Sequence, residues 1–208
     1  MQYHLSSLFL CYRKNTASAV NFLRLNRFIN PIVNFCLFVI FLLLSHTSIA
    51  RESISAEEFK TAFIFQLLDK VQWQNQDSFT QYRISLVGKE PLLLRQLQVA
   101  SRQVKIKGKS VLVESSDDLK ALSSSHLIFI SRTNQVPIRE IAEATSRTNT
   151  LLVTEDTQAK VYSMINLLSH SDGGYTFEVN KANITYEHLS LDRDILLLGG
   201  SDMDVAEL

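Results

Sequence analysis

Ser131, His126, Glu155 and Asp156 are of the types that nucleophilic and acid–base catalysis use. Catalysis also needs them fixed in one geometry, and the sequence has none of the frames that do this. It lacks a nucleophile elbow, a His-Glu-x-x-His helix and a Gly-rich phosphate loop. The reading is a protein that is not an enzyme and that needs neither cofactor nor metal. A small ligand is the chemistry that remains, because ligands of parallel α/β sheets sit beyond the carboxyl ends of the strands. Those ends carry Gly88-Lys89, Ser131-Arg132-Thr133 and Thr154-Glu155-Asp156. Ser131, Arg132, Thr154 and Glu155 are therefore the candidate ligand-binding residues, set against the plainer expectation of polar, solvated loop ends. Lys105, Lys107 and Lys109 alternate along Val104–Val113 and could hold an anion, although such lysines more often keep a sheet edge from pairing with other chains.

The elements that must position these residues are strands and helices in alternation. His126-Leu-Ile-Phe-Ile-Ser131 places four consecutive apolar residues after a polar run, the pattern of a strand covered on both faces. Leu151-Leu-Val-Thr154 would lie beside it, with Tyr82-Arg-Ile-Ser-Leu-Val87 as a third strand. Pro91 opens a helix whose Leu92, Leu93, Leu94 and Leu97 are expected against the sheet, and shorter helices are expected around 117–122 and 137–146. This order predicts an α/β fold, a mostly parallel sheet flanked by helices. Ser171-Asp-Gly-Gly174 then predicts a turn between 162–169 and 175–179, an antiparallel hairpin at one edge of the sheet. Two helical pieces, the second over 190–198, would end the domain at Gly199-Gly200, with 201–208 as a loose tail.

Charge divides the chain in two. Residues 1–50 contain Arg13, Lys14, Arg24 and Arg27 and no acid, which leaves 17 basic against 21 acidic residues over 51–208, a net of −4. A weakly acidic domain argues against nucleic-acid binding, which wants a concentrated basic face. Phe35–Leu44 is uninterruptedly apolar and is followed by Ser48 and Ala50 at the −3 and −1 positions of a cleavage site. Residues 1–50 thus read as a signal peptide with an unusually long N-region, and 51–200 as one domain exported to the periplasm. An uncleaved anchor is the competing expectation. Cys11 and Cys36, the only cysteines, both fall in this leader, so the exported domain would be held by core packing alone.

The exported chain opens on a helix expected over 56–72. Ser55 and Glu58 form its capping box, with Ile54 and Phe59 as a hydrophobic staple. Its apolar residues reach almost around the cylinder, as in a helix covered on more than one side. Either the sheet and a neighbouring helix cover it, or part of it meets another protein. Phe65, Leu68 and the single tryptophan, Trp73, are the candidate partner-binding residues, and Trp73 could equally be core.

Taken together, Ala62-Phe-Ile-Phe65, Trp73, Tyr82–Gly88, His126–Ser131, Leu151–Thr154, Met164-Ile165 and Phe177-Glu-Val-Asn180 resemble, in order and spacing, the YfiR-type periplasmic proteins. The resemblance covers nearly all of 55–198. It departs at Gln74, where family members usually have proline, at Ser163, where they usually have glycine, and at Ser125, where a cysteine often stands. What it implies is a regulator that binds the periplasmic region of a membrane-bound diguanylate cyclase and holds it inactive, lowering cyclic-di-GMP and biofilm formation. Related domains are similar to input modules of membrane sensor kinases. A homodimer and a small ligand are both compatible with that reading.

Overall fold

The computed structural model of the protein describes residues 54–204; the expected leader over 1–50, the expected start at Arg51 and the last residues of the expected tail lie outside the described residues. Helix α1 (Ala56–Lys70) starts on the expected capping box, with the Glu58 N–H donating to Ser55 Oγ at 3.1 Å and the Ser55 N–H to Glu58 Oε2 at 2.9 Å. The staple is not made in the expected way, because Ile54 stands in solvent while the Phe59 ring stacks on Tyr175 at 4.5 Å. Nor does the helix reach residue 72. Val71–Trp73 is instead a short strand, β1, antiparallel to a distant strand at Leu189–Leu191 with Val71 opposite Leu191 and Trp73 opposite Leu189. A β-branched and an aromatic residue two apart can both be buried on one face of a strand, and that long-range pairing outweighs local helical preference.

The main sheet takes β2 (Gln81–Val87), β3 (Ser110–Ser115), β4 (Leu127–Ile130), β5 (Leu151–Glu155), β6 (Ile165–Ser169) and β7 (Tyr175–Val179), and its order is β3-β2-β4-β5-β6-β7 with a last strand, β9 (Gly200–Asp202), outside β7. The pairs from β3 to β6 are parallel and β6–β7 is antiparallel. All residues of β4 and β5 are buried, as their continuous apolar runs require.

Helix α2 (Pro91–Gln103) links β2 to β3, α3 (Leu119–Leu122) links β3 to β4, and α4 (Ile138–Ala144) links β4 to β5. Right-handed crossovers place α2 on one face and α3 with α4 on the other, because the chain steps one way along the sheet from β2 and the other way from β3 and β4. α1 packs beside α2, and α3 beside α4.

Three expectations change at the carboxyl end. After α5 (Lys181–Tyr186), Leu189–Leu191 is strand β8, the partner of β1, and only Arg193–Leu198 is helical, as a 3-10 turn. The stretch expected as a loose tail instead supplies β9, parallel to β7, and the Met203 N–H donates to the Val179 carbonyl at 2.9 Å. Gly200 is required there, since a Cβ at that position would press on the Phe177 ring.

Candidate functional site

β5 and the loop after β4 bring part of the expected ligand set together. Glu155 ends β5 with its side chain wholly buried, 2.6 Å from Lys60 Nζ of α1 and 3.5 Å from Arg132 Nε. The Arg132 backbone N–H also donates to Glu155 Oε2 at 3.4 Å, and Arg132 Nη1 lies 3.3 Å from Asp156 Oδ2. Asp156 adopts a left-handed backbone, φ 49°, and accepts the Ser169 N–H and hydroxyl at 2.9 and 2.7 Å. Two cations thus meet two carboxylates, which leaves no excess charge to draw in an ionic ligand. The pair with Lys60 is a close ion pair on the underside of α1, tying that helix to the carboxyl end of the sheet.

Ser131 and Thr154 are spent elsewhere. Ser131 Oγ shares a hydrogen bond with Thr133 Oγ1 at 2.8 Å, and Thr133 Oγ1 accepts the Lys89 N–H at 2.8 Å. This contact spans the point between β2 and β4 where the strand order reverses, the usual ligand crevice. Gly88 closes it further: with φ 102° it brings its backbone against Ser131 Oγ, where any Cβ would collide. Thr154 lies in a separate buried knot, its hydroxyl 2.8 Å from Ser163 Oγ and 3.0 Å from Asn166 Oδ1. The strand ends therefore carry polar groups bonded to one another, with Lys89, Arg132 and Thr133 exposed to solvent above them.

The residues of catalytic type are not assembled. His126 precedes β4 and Ser131 follows it, so they stand a strand length apart, roughly 16 Å along the backbone at ~3.3 Å per residue. His126 Nδ1 accepts the Arg83 backbone N–H at 2.9 Å, which fixes its neutral form as the Nε2–H tautomer. Burial foremost, then the charges of Arg83 and Lys109, push its pKa down to about 4. Its ring packs on Phe79 at 4.2 Å and on Tyr82 at 5.5 Å.

Two of the three expected partner-binding residues are interior. Leu68 is fully buried, and Trp73, at 3% exposure, donates its Nε1–H to the Asn149 carbonyl at 2.9 Å. An indole whose N–H is already bonded inside its own fold is core, because removing that bond to reach a partner would leave a buried donor unpaired. Two of the three lysines, Lys107 and Lys109, serve the same corner, while Lys105 is exposed. Lys107 Nζ donates to the Val71 carbonyl and lies 5.6 Å over the Trp73 ring, while Lys109 Nζ donates to the Asp77 carbonyl at 2.9 Å and lies 5.7 Å over Phe79.

Phe65, the third, is mostly buried but lines a groove of about 610 Å³ between α1 and α2. The rest of this surface was not foreseen. Leu92, expected on the sheet, is 64% exposed, and Val99 and Val104 on the same groove are 47% and 43% exposed. Leu93 and Leu97 are buried, and Leu94 packs half-buried against the core, as expected. The signal in the sequence was the seven-residue spacing of Leu92 and Val99, a second apolar stripe beside the inward one.

A family model described as YfiR/HmsC-like matches residues 57–199. The chain belongs to the YfiR/HmsC-like family. A comparison with curated proteins returned no match. The YfiR/HmsC-like match runs from the first turn of α1 to the glycine before β9, so it takes in the groove, the ion-pair network and the aromatic corner together. The departures from the YfiR-type pattern are absorbed locally. Ser125, where a cysteine often stands, shares a buried hydrogen bond with Ser85 at 2.7 Å, and Ser163 is the partner of Thr154. Gln74 is exposed just after β1, where no particular side chain is demanded.

Proposed function

We propose that the protein is a periplasmic regulatory binding protein that represses a membrane-bound diguanylate cyclase, and so lowers cyclic-di-GMP and biofilm formation. The observation that carries this reading is the YfiR/HmsC-like match over 57–199, which spans nearly the whole described domain. Two structural facts support it. His126 is held a strand length from Ser131, and the polar groups at the strand ends are bonded to one another, so action by contact with a partner is what this architecture suits best. No helix among the described residues is long and apolar enough to cross a membrane.

Gene deletion tests the proposal. Cyclic-di-GMP and surface attachment are expected to rise, and to return to the parental level when the full-length gene is restored but not when residues 1–50 are removed from it. Unaltered cyclic-di-GMP after deletion would sink the repressor reading. Amino-terminal sequencing of the protein in the periplasmic fraction is expected to begin at Arg51, and an intact Met1 product in the membrane fraction would show an anchor instead.

A further inference from the structure

At the amino end of β4, opposite the strand ends where the sequence suggested a ligand, His126 and Phe79 line a polar cavity of about 210 Å³ that the repressor reading does not use. The hydroxyls around it are already committed as donors. Ser123 and Ser124, just past α3, donate to the Lys120 and Ala121 carbonyls at 2.9 Å each, and Ser78 donates to the Asn75 carbonyl at 2.7 Å. Carbonyls at the end of a helical turn need donors, so these bonds are local caps, and they leave the three hydroxyl oxygens only lone pairs to offer the cavity. His126 is the reverse. Its Nδ1 is taken by the Arg83 N–H, so the proton it has left is on Nε2, which has no partner among the described residues. The carboxamides of Asn75 and Asn149 also line the cavity and make no hydrogen bond among the described residues, so each brings both donors and an acceptor. The wall is held in shape as well. Arg147 and Asn149 have left-handed backbones, φ 61° and 59°, and both N–H groups donate to the buried Glu187 carboxylate, at 2.7 and 3.1 Å. Non-glycine residues keep such a backbone only where their surroundings enforce it, and ligand clamps are among the places where they do.

We propose that this cavity binds a single neutral sugar ring. Its hydroxyls donate to the lone pairs of Ser78, Ser123 and Ser124, one of them accepts the His126 Nε2–H, and the two carboxamides take neighbouring hydroxyls as donor and acceptor at once. Phe79 covers the C–H surface of the ring. Charge narrows the choice to a neutral ligand. Arg83 Nη1 donates to Ser124 Oγ at 3.2 Å, and the charges of Arg83 and Lys109 both reach His126, so a cation is repelled. An anion would instead face the inward lone pairs of the hydroxyls, which have no proton to give it. Size sets the rest: drug-sized ligands take sites of ~300 Å³ and above, so this smaller cavity admits one ring and not a chain.

Trp73, the only tryptophan, is a built-in reporter, because its indole N–H is bonded to the carbonyl of Asn149 in the cavity wall. The test uses the product of the full-length gene, isolated from its native compartment, and titrates it with glucose, galactose, mannose and N-acetylglucosamine. At least one of the four is expected to give a saturable change in tryptophan fluorescence with a Kd of about 1 mM or tighter. Glucosamine and glucuronate, a cationic and an anionic sugar of similar size, are expected to bind ~10-fold more weakly or less. Asn149→Gly, which allows the same left-handed backbone and removes the carboxamide, is expected to weaken binding by ~10-fold. Ser123→Phe, which crowds the cavity from an exposed position, is expected to abolish binding with the melting temperature of the free protein unchanged. No saturable change with any of the four sugars up to ~10 mM, ten times the expected Kd, would overturn the proposal. So would a charged sugar that binds equally well, or a response that survives either substitution. None of these measurements involves the cyclase, so their failure leaves the repressor reading standing.

Discussion

At His126 the Arg83 N–H points at Nδ1 from 2.9 Å, a bond that exists only while that nitrogen keeps its lone pair. The folded state holds the ring near pKa 4, against 6.5 when unfolded. The sign follows: a depressed histidine pKa means that the unfolded chain takes up the proton first. Its contribution to stability is complete above pH 6.5 and is lost as pH falls from about 6.5 to about 4. Melting temperature is expected to drop across that window, and His126→Asn, whose side-chain carbonyl can accept the same N–H, is expected to flatten the drop. Trp73 gives a second outcome. Truncation to alanine should cost about 3 to 5 kcal/mol by the cavity it leaves, and Trp73→Phe about 1 kcal/mol for the Asn149 hydrogen bond, both read by urea denaturation. A histidine at a strand entrance is more often a satisfied structural residue than a catalytic one, and the structural role is the one His126 has, whereas Trp73 was open between core and interface in the chain alone. His126 and Trp73 are ambivalent types, and what decides them is a backbone N–H at Arg83 and a carbonyl at Asn149, brought near only by folding.

Among the elements, α1 and β5 are joined by one buried ion pair. Removing one partner leaves a charge in the interior, so Lys60→Met alone is expected to lose about 3 to 5 kcal/mol, and Lys60→Met with Glu155→Leu distinctly less than the sum of the two single changes. A double-mutant cycle in denaturant checks it; strict additivity would mean that the pair contributes nothing. At the other edge, Gly200→Val should drive a side chain into the Phe177 ring and cost about 1 to 3 kcal/mol, with more aggregation as β7 loses its cover. Strands β2, β4 and β5 could be read from sequence because burial on both faces writes a continuous apolar run. β1, β8 and β9 could not, each being three residues long and defined by a partner far along the chain. The same blindness hid the groove, whose leucine and valine look like core until a neighbouring helix is seen not to cover them.

For the molecule as a whole, stability rests on packing without covalent staples, since no cysteine follows Cys36. If the leader is removed as proposed, the melting temperature is therefore expected to be the same with and without reductant, and a shift would point to retention of Cys11 and Cys36. The pairing of β1 with β8 has a further consequence for a chain threaded amino end first through a membrane. Val71 and Trp73 reach the far side while Leu189–Leu191 is still to come, so the indole that will become interior waits with its strand partner absent. Completion of the fold is then tied to completion of translocation. On the proposed reading of an exported repressor, the interval between the two is when a periplasmic chaperone or protease has its access, and repression starts only after nearly all of the chain has crossed.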